Sequence, residues 1–271
     1  METMKIHATH LRMHIINMLT ASGSGHPGGS LSASDLLTYL YFREMNVDSA
    51  RQDDPNRDRF ILSKGHAAPV LYGALAMKGF FSVEELKNLR KMGSILQGHP
   101  DMRKVPGVDM STGSLGQGLS ASVGVALGGK MDKKSYRVYT LLGDGELQEG
   151  IVWEAAMAAS QYKLDNLVAI IDHNGLQIDG PNDDVMKVNP VKEKWESFGW
   201  KVIAIDGHSF KEMEEAFKIA RETKGQPTAI IAKTSKGKGV SFMENQAGWH
   251  GVTPSEEQRI QAIEELKKII S

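Results

Sequence analysis

The chain predicts an α/β fold built on a doubly wound, mostly parallel sheet flanked by helices. Short apolar runs typical of buried strands alternate with segments of helical periodicity. Polar, glycine-rich motifs follow several of these runs directly, and ligands on such folds bind outside the carboxyl ends of the strands. No internal repeat or linker-like tract interrupts the pattern. We therefore expect one domain over residues 1–271.

The N-terminal half is expected to be mostly helical. Leu11, Ile15, Met18 and Leu19 recur at helical spacing and predict a helix that ends near Ala21. The other elements expected in this half are a helix from residue 32, a strand at 60–62, a helix ending near residue 78, a helix at 82–92 that opens with the capping box of Ser82 and Glu85, and a helix of small residues at 114–129.

The C-terminal half is expected to alternate between strands and helices. The expected elements are strand 137–142, helix 149–162, strand 167–172, strand 200–206, helix 209–223 and strand 228–233. A final helix is expected to begin at Thr253-Pro254-Ser255-Glu256, which combines an N-cap residue with Pro at the first helical position.

Composition excludes several classes of protein. The formal net charge is −1, from 32 basic and 33 acidic residues, so neither a nucleic acid nor an anionic membrane is an expected partner. The chain has no cysteine, which rules out disulfides and thiolate metal sites. No apolar run is long enough to cross a bilayer, and charged residues break the first twenty positions. We expect a cytoplasmic protein.

Two polar motifs follow neighbouring strands and predict a divalent cation site. The first runs from Gly143 to Gly150 and contains Asp144, and the second contains Asn174 and Leu176. A carboxylate, an amide oxygen and a backbone carbonyl are ligands that Mg²⁺ or Ca²⁺ accepts, and diphosphate oxygens could complete the coordination. Gly-Asp-Gly alone could equally be a simple turn, but the second motif makes coincidence less credible.

Histidines beside glycine form a second group of candidates. His26, His66, His99 and His250 all have this neighbour, and a neutral imidazole can donate or accept a proton near pH 7. The remaining histidines for which we expect surface or packing roles are His7, His10, His14 and His208.

A lysine-rich segment near the C-terminus has two interpretations. Lys233, Lys236 and Lys238 surround Gly237 and Gly239. The segment could be a mobile loop that attracts phosphate. A solvated run of charge is at least as reasonable.

Taken together, these motifs resemble the N-terminal, diphosphate-binding part of transketolases, over nearly the whole chain. The motifs that carry the resemblance are Ser24–Gly28, Ser63–Ala67, Gly98–Pro100, Thr112–Gly118, Gly143–Gly150, Asp172–Leu176 and His250-Gly251. The resemblance implies a thiamine diphosphate-binding fold that binds this cofactor with Mg²⁺ or Ca²⁺.

The resemblance also implies roles for individual residues. The metal ligands would be Asp144, Asn174 and the carbonyl of Leu176. The cofactor-binding residues would be His66, Gly113, Ser114, Leu115, Gly116, Gly143, Asp144, Gly145, Glu146, Asn174 and His250. The catalytic residues would be His26 and His99 at the hydroxyls of the sugar donor, His250, and Glu149 in an acidic network across a subunit contact.

The implied reaction is transfer of a two-carbon ketol unit from a ketose or ketose phosphate to an aldose or aldose phosphate. In this family the pyrimidine-activating glutamate and most sugar-phosphate arginines lie in later domains, so a separate C-terminal subunit is expected to supply them. We expect a heterotetramer containing a homodimer of this chain. Ser114, His173 and Asp101 depart from the family's commoner residues and leave the sugar open.

Two other functions remain compatible with the sequence. One is a different thiamine diphosphate enzyme subunit, similar to a 2-oxo acid dehydrogenase α subunit or a deoxyxylulose phosphate synthase. The paired His26 and His99, which suit polyhydroxylated donors, argue against the 2-oxo acid dehydrogenase α subunit. The other is a non-catalytic subunit that only binds its partner, which the complete set of metal-ligand candidates argues against.

Overall fold

A five-stranded, all-parallel sheet forms the centre of the computed structural model, which describes residues 2–270. The strands are β1 (Arg59–Leu62), β2 (Val138–Gly143), β3 (Leu167–His173), β4 (Leu176–Gln177), β5 (Gly180–Pro181), β6 (Lys201–Asp206) and β7 (Thr228–Lys233). The order in the sheet is β1-β2-β3-β7-β6, and β4 pairs with β5 in a small antiparallel hairpin. The predicted fold class is confirmed.

Helices surround the sheet. They are α1 (Glu2–Ser22), α2 (Pro27–Ser32), α3 (Ser34–Tyr39), α4 (Ala68–Met77), α5 (Gln117–Met131), α6 (Gly150–Gln161), α7 (Asn182–Val185), α8 (Val191–Ser197), α9 (Phe210–Glu222) and α10 (Glu256–Ile270). Among residues 2–270, no helix combines the length and the apolar character that a membrane span needs.

Two apolar clusters cover the two faces of the sheet. Ile170 of β3 packs into the cluster formed with α1, α3, α4, α9 and α10, whereas Ile171 packs into the cluster formed with α5, α6 and α8. Both residues are fully buried. Because both faces of β3 are covered, nearly all of its residues are apolar, and this continuous apolar run made the strand predictable from sequence.

Two helix boundaries differ from the prediction. The helix expected from residue 32 begins earlier, at Pro27, and is interrupted at Ala33. The capping-box helix expected at 82–92 is a short 3-10 helix, Val83–Asn88, where the Ser82 hydroxyl accepts from the Glu84 N–H at 3.2 Å. The capping signal at Ser82 therefore located the start of the second helix but not the length of regular helix that follows.

The start of the last helix is also corrected. Ser255, not Thr253, is the capping residue, because its Oγ accepts from the Gln258 N–H at 3.3 Å. The Gln258 side chain in turn accepts from the Ser255 N–H at 2.9 Å, which completes a capping box. The helix begins at Glu256.

The segment between β3 and β6 contains elements that the sequence did not predict. These are the hairpin of β4 and β5 and the helices α7 and α8. Trp195 of α8 is fully buried and packs against Trp200, with ring centroids 4.7 Å apart. The single domain predicted over residues 1–271 includes Met1 and Ser271, which lie outside the described residues.

Candidate active site

The central strands β2 and β3 end side by side, and the site lies at these ends. Gly143 pairs in register with Asp172, so Asp144 and Asn174 begin from adjacent positions. The Asp144 N–H donates to the carbonyl of Asp172 at 3.3 Å. Gly175, with φ +79°, turns its N–H onto the Asp144 carboxylate at 2.5 Å. A left-handed conformation of this kind favours glycine.

Three oxygen donors lie on this pair of loops. The Asp144 carboxylate is buried and also accepts from the Gly145 N–H at 2.9 Å. The Asn174 side-chain oxygen accepts from the Leu176 N–H at 3.1 Å, and the Leu176 carbonyl accepts from the Lys236 ammonium at 3.1 Å. This set of one carboxylate, one amide and one carbonyl could hold Mg²⁺ or Ca²⁺.

Such a cation would need ligands from outside the protein as well. Over residues 2–270, no group of three or more His, Cys, Asp or Glu side chains is arranged to hold a metal ion. The buried Asn182 amide, beside Gly145, makes no well-formed hydrogen bond among the described residues, although it lies close enough to the Asp144 carboxylate to offset part of the rise that burial causes in the pKa of that group. Unpaired buried polar atoms of this kind are costly and fit a site that is completed by a polar ligand.

The pKa of Asp144 also fits a cation site. Burial raises the pKa of this carboxyl, and the neighbouring Asp172 carboxylate raises it further, while the Gly175 N–H lowers it. A divalent cation at the carboxylate would favour the charged form.

Behind the site lies an inner polar layer, which consists of Ser32, Lys64, Asp172 and Thr234. Burial works to raise the pKa of Asp172, but the Lys64 ammonium and the two hydroxyls hold it below its usual value. Ser32 donates to Asp172 at 2.5 Å, and Thr234 and Lys64 donate to it as well. Asp172 also accepts from the Asn174 side-chain N–H₂ at 3.4 Å, which orients the amide oxygen away from it.

Three of the predicted histidines meet in one wall of the site. The ring centroids of His26, His66 and His250 lie 5.2 to 5.5 Å apart. Burial is the main cause that lowers their pKa values, to about 4 for His26 and about 3 for His250, and it also lowers that of His66. The three rings are therefore neutral at pH 7, and the buried Nδ1 of His26 has no hydrogen-bond partner among the described residues.

His99, the fourth histidine beside glycine, lies against Gly113 instead. A Cβ on Gly113 would come within 3.2 Å of the imidazole ring, so glycine permits this contact. Burial and the Arg90 guanidinium lower the pKa of His99. Arg90 also donates to the Ser24 hydroxyl at 2.7 Å.

The loop that contains Gly116 is shaped by Glu146. Gly116 has φ +81°, and a Cβ there would lie 2.5 Å from the Ile151 side chain, so no other residue fits without movement. The buried Glu146 carboxylate accepts from the Gly116 N–H at 2.8 Å, from the Gly143 N–H at 3.0 Å and from the Ser63 hydroxyl. Its hydrogen bonds thus join the ends of β1 and β2 to the start of α5.

These groups surround a cavity of about 350 Å³. The predicted site residues that line it are His66, Gly113, Leu115, Gly143, Asp144, Gly145, Glu146, Glu149, Asn174, Leu176 and His250. The other predicted residues, His26, His99, Ser114 and Gly116, are not among the lining residues; His26 contacts the cavity-lining His66 and His250. Glu149 is exposed and occupies the N-cap position of α6.

Two buried lysines also line the cavity, and the sequence predicts a firm role for neither of them. Lys64 lines the cavity and is fully buried, with its ammonium also donating to the Gly29 carbonyl at 2.7 Å. Lys236 is only 2% exposed and lies 2.8 Å from His250 Nδ1. Burial, followed by the charge of Lys64, lowers the pKa of Lys236 to about 8.

The interpretation of the lysine-rich segment as a solvated charge run is therefore wrong for Lys236. Lys233 is exposed, as that interpretation expects, and Lys238 is half-buried near Glu244 at 3.4 Å. Gly237 and Gly239, which the sequence places in a possible mobile loop, both have positive φ in the structure.

The fold and the cavity define a cofactor-binding α/β protein with a buried, cation-compatible site at the carboxyl end of a parallel sheet. The family model described as the thiamine diphosphate-binding domain of transketolase matches residues 3–268. The chain belongs to the transketolase family, and its function is that of one subunit within a transketolase, which is a transferase. The predicted resemblance and the predicted binding of thiamine diphosphate are confirmed at this level.

Relatives of known name agree with this assignment. The chain is 47% identical to the 6-deoxy-6-sulfo-D-fructose transketolase subunit of Clostridium sp. strain MSTE9, over 91% of this chain and 90% of the relative. It is 44% identical to one of the subunits of the apulose-4-phosphate transketolase of Phocaeicola vulgatus, over 99% of this chain and 95% of the relative.

A solved structure gives the same result for the fold. The transketolase of Campylobacter jejuni superimposes with a TM-score of 0.93 at 34% sequence identity, over 98% of this chain. The match covers 43% of the Campylobacter chain, so this chain spans less than half the length of that transketolase.

Proposed function

We propose that this subunit binds thiamine diphosphate with Mg²⁺ or Ca²⁺ and, together with a second polypeptide, transfers a two-carbon ketol unit from a ketose to an aldose. The observation that carries the proposal is the buried Asp144 carboxylate, which lies at a strand end beside the Asn174 amide and the Leu176 carbonyl. A buried carboxylate without a cationic partner is costly, and a divalent cation would supply that partner.

The metal would be held by Asp144, Asn174 and the carbonyl of Leu176, with the diphosphate as a further oxygen ligand. Lys236 now donates to that carbonyl, so its ammonium is well placed to move onto the diphosphate when the cation binds. The Asn182 amide, unpaired and buried at the edge of the site, is a further polar group for the ligand.

The diphosphate would be bound by His66, Gly145, His250 and Lys236, and the backbone of residues 113–116 would lie against the cofactor. Gly143 and Glu146 shape this surface, because Glu146 fixes the loops on either side of it. Loops of this kind let backbone N–H groups approach phosphate oxygens closely.

When bound, the cofactor supplies the electron sink that cleavage of a carbon–carbon bond beside a ketone requires. The chain's own contribution is recognition of the sugar and exclusion of water. His26, His66 and His250 stay neutral at pH 7, so each imidazole can donate one hydrogen bond and accept one. We assign His26 and His99 to the hydroxyl groups of the donor sugar, and His250 to proton movement at the donor.

A partner subunit is part of the proposal. Its support is that the chain spans 90% and 95% of two relatives named as transketolase subunits. We propose a heterotetramer with two copies of each polypeptide, in which Glu149, exposed at the start of α6, joins an acidic network across the contact. A cytoplasmic location remains a prediction from sequence.

Reconstitution with the partner tests the proposal. The co-purified pair is expected to convert xylulose 5-phosphate and ribose 5-phosphate, or a related donor such as 6-deoxy-6-sulfo-D-fructose, by ketol transfer. The isolated chain is expected to bind the cofactor weakly and to show no turnover. Cofactor binding without ketol transfer, or turnover of pyruvate by the pair, would contradict the proposed reaction.

A further inference from the structure

Three side chains from three separate elements meet beside the sheet, away from the cavity. They are Arg12 of α1, Asp35 of α3 and His208, which follows β6; we call them the anchoring cluster. The Arg12 guanidinium donates to both carboxylate oxygens of Asp35, at 3.0 and 2.6 Å. His208 Nδ1 lies 2.6 Å from the same carboxylate. Arg12 and Asp35 are both buried.

The anchoring cluster contacts the segment 234–239 at two points. The Ser235 N–H donates to His208 Nε2 at 2.9 Å, so the ring proton is on Nδ1 and donates to Asp35. The Nε of Arg12 donates to the Lys238 carbonyl at 3.0 Å. These two contacts lie on either side of Lys236, one position before it and two positions after it.

Lys236 points from this segment into the cofactor cavity. Its ammonium contacts the Leu176 carbonyl at 3.1 Å and His250 Nδ1 at 2.8 Å. On the other side, the Gly237 N–H donates to the Gly28 carbonyl at 3.0 Å. An ordered lysine side chain loses conformational entropy, so its backbone must be held firmly for the ammonium to stay in place.

We propose that Arg12, Asp35 and His208 position residues 234–239 and, through them, the Lys236 ammonium at the diphosphate end of the cofactor site. The three residues are positioning residues, because none of them lines the cavity. The proposal rests on the proposed function in taking the ligand of Lys236 to be an anionic cofactor. Through the cluster, α1 and α3 reach the cofactor site although neither contributes a cavity-lining residue.

A pair of substitutions at His208 separates its two contacts. In His208→Asn, the amide N–H₂ replaces Nδ1 as the donor to Asp35, but no atom replaces Nε2 as the acceptor for the Ser235 N–H. In His208→Gln, the amide oxygen can reach the position of Nε2. Amide hydrogen exchange of the ligand-free full chain should be about tenfold faster over residues 234–239 in His208→Asn, and close to wild type in His208→Gln.

Asp58→Asn is the matched control. Asp58 is also a buried carboxylate, and it accepts from the backbone N–H groups of Asn46 and Arg137, both at 2.8 Å. This variant should lose stability without faster exchange over residues 234–239. Unchanged exchange of this segment in His208→Asn would overturn the proposal, and so would faster exchange of the same size in Asp58→Asn.

A double-mutant cycle tests whether the cluster acts through Lys236. The dissociation constant of thiamine diphosphate, with Mg²⁺, is measured in the complex with the partner subunit for wild type, His208→Asn, Lys236→Met and the double variant. We expect His208→Asn to weaken binding about tenfold when it is introduced into the wild-type chain. When it is introduced into the Lys236→Met variant, we expect no further loss of affinity. An equal loss of affinity in both backgrounds would overturn the proposal, because it would show that His208→Asn weakens binding independently of Lys236.

A failure of the proposed function gives a different result. If the wild-type complex binds no thiamine diphosphate, the proposed function fails, and the cluster is then judged on the ligand-free chain alone. In that case, the rate of acylation of Lys236 is followed by mass spectrometry. An increase of about tenfold in His208→Asn, reversed in His208→Gln, supports the positioning role; an unchanged rate overturns it.

Discussion

The two aspartates at the ends of β2 and β3 are adjacent and both buried, yet their surroundings are opposite. Asp172 is surrounded by side-chain donors, including the Lys64 ammonium, and its pKa is lowered. Asp144 accepts from the backbone N–H groups of Gly145 and Gly175, and its pKa is raised. Asp172 thus forms a contact ion pair with a lysine, whereas Asp144 interacts with the Lys236 ammonium only at longer range.

This difference separates structure from function within one polar region. A buried charge that the protein pairs internally holds elements together, and removing one partner is costly. A buried charge that is left without a counterion is unfavourable until a ligand supplies one, and such groups concentrate at functional sites. The inner polar layer therefore belongs to the folded scaffold, and Asp144 belongs to the ligand site.

Asp172→Asn should have the largest effect. The substitution leaves the Lys64 ammonium buried without a carboxylate, and breaking a buried ion pair in this way costs about 3–5 kcal/mol. Urea denaturation of the ligand-free chain, at constant m-value, measures the loss. A loss below about 1 kcal/mol would show that the inner polar layer does not hold the strand ends together.

Asp144→Asn should give the reverse pattern. Because no cation is lost from the ligand-free chain, we expect its free energy of unfolding to stay within about 0.5 kcal/mol of wild type or to rise. Loss of a carboxylate ligand should weaken metal-dependent cofactor binding by about 100-fold or more, measured by titration of the complex with its partner. Destabilisation of the ligand-free chain as large as that of Asp172→Asn would remove the contrast between the two aspartates.

Lys236→Met sharpens the comparison on the cationic side. Methionine fills a similar volume without the charge, so the fold should be retained. A charge-assisted hydrogen bond contributes about 1.5–3 kcal/mol, and we expect cofactor affinity to fall by about 10- to 100-fold. Lys238→Met is the matched control, since Lys238 is half-buried next to the same loop and should leave affinity unchanged.

Lowering the pH should reduce stability by less than Asp172→Asn does. Burial lowers the pKa values of His26 and His250 to about 4 and about 3, whereas unfolded histidine titrates near 6.5. Between pH 6.5 and 5 the unfolded chain therefore binds more protons, and the free energy of unfolding falls as the pH falls. Allowing for partial exposure of the rings, the loss is roughly 1 kcal/mol for each.

Denaturation at pH 7, 6 and 5 measures this loss. His26→Gln should reduce its pH dependence only in part, because the pKa values of His66, His99 and His250 are lowered as well. A free energy of unfolding that does not change between pH 7 and pH 5 would contradict this expectation. It would indicate that His26 and His250 have the same pKa values in the folded chain as in the unfolded chain.

The fold and the outline of the site were predictable because their signals are local. Buried strands such as β3 read as apolar runs, and Asp144 and Asn174 directly follow two of them. The parallel arrangement brings the carboxyl ends of adjacent strands together, so position along the chain was enough to place the two side chains near each other.

The missing parts of the site depend on contacts between distant positions. Lys64 and Asp172 are 108 residues apart, and Asp35 and His208 are 173 apart. A single sequence carries no signal that pairs such residues. It therefore predicts only a surface or packing role for His208, and it leaves Lys236 open between a phosphate-attracting loop and a solvated run of charge. Whether a lysine is buried depends on how its loop packs against distant parts of the chain. The residues next to it in sequence give little information about that packing.

Titration of the partner-bound complex with thiamine diphosphate, once in Mg²⁺ and once in EDTA, tests whether Asp144 and Asn174 hold a cation that in turn holds the cofactor's diphosphate. We expect tight binding in Mg²⁺, weaker binding by at least about 100-fold in EDTA, and no difference between the two conditions in Asp144→Asn. Equally tight binding of the cofactor in EDTA, or an undiminished effect of Mg²⁺ in Asp144→Asn, would contradict the claim.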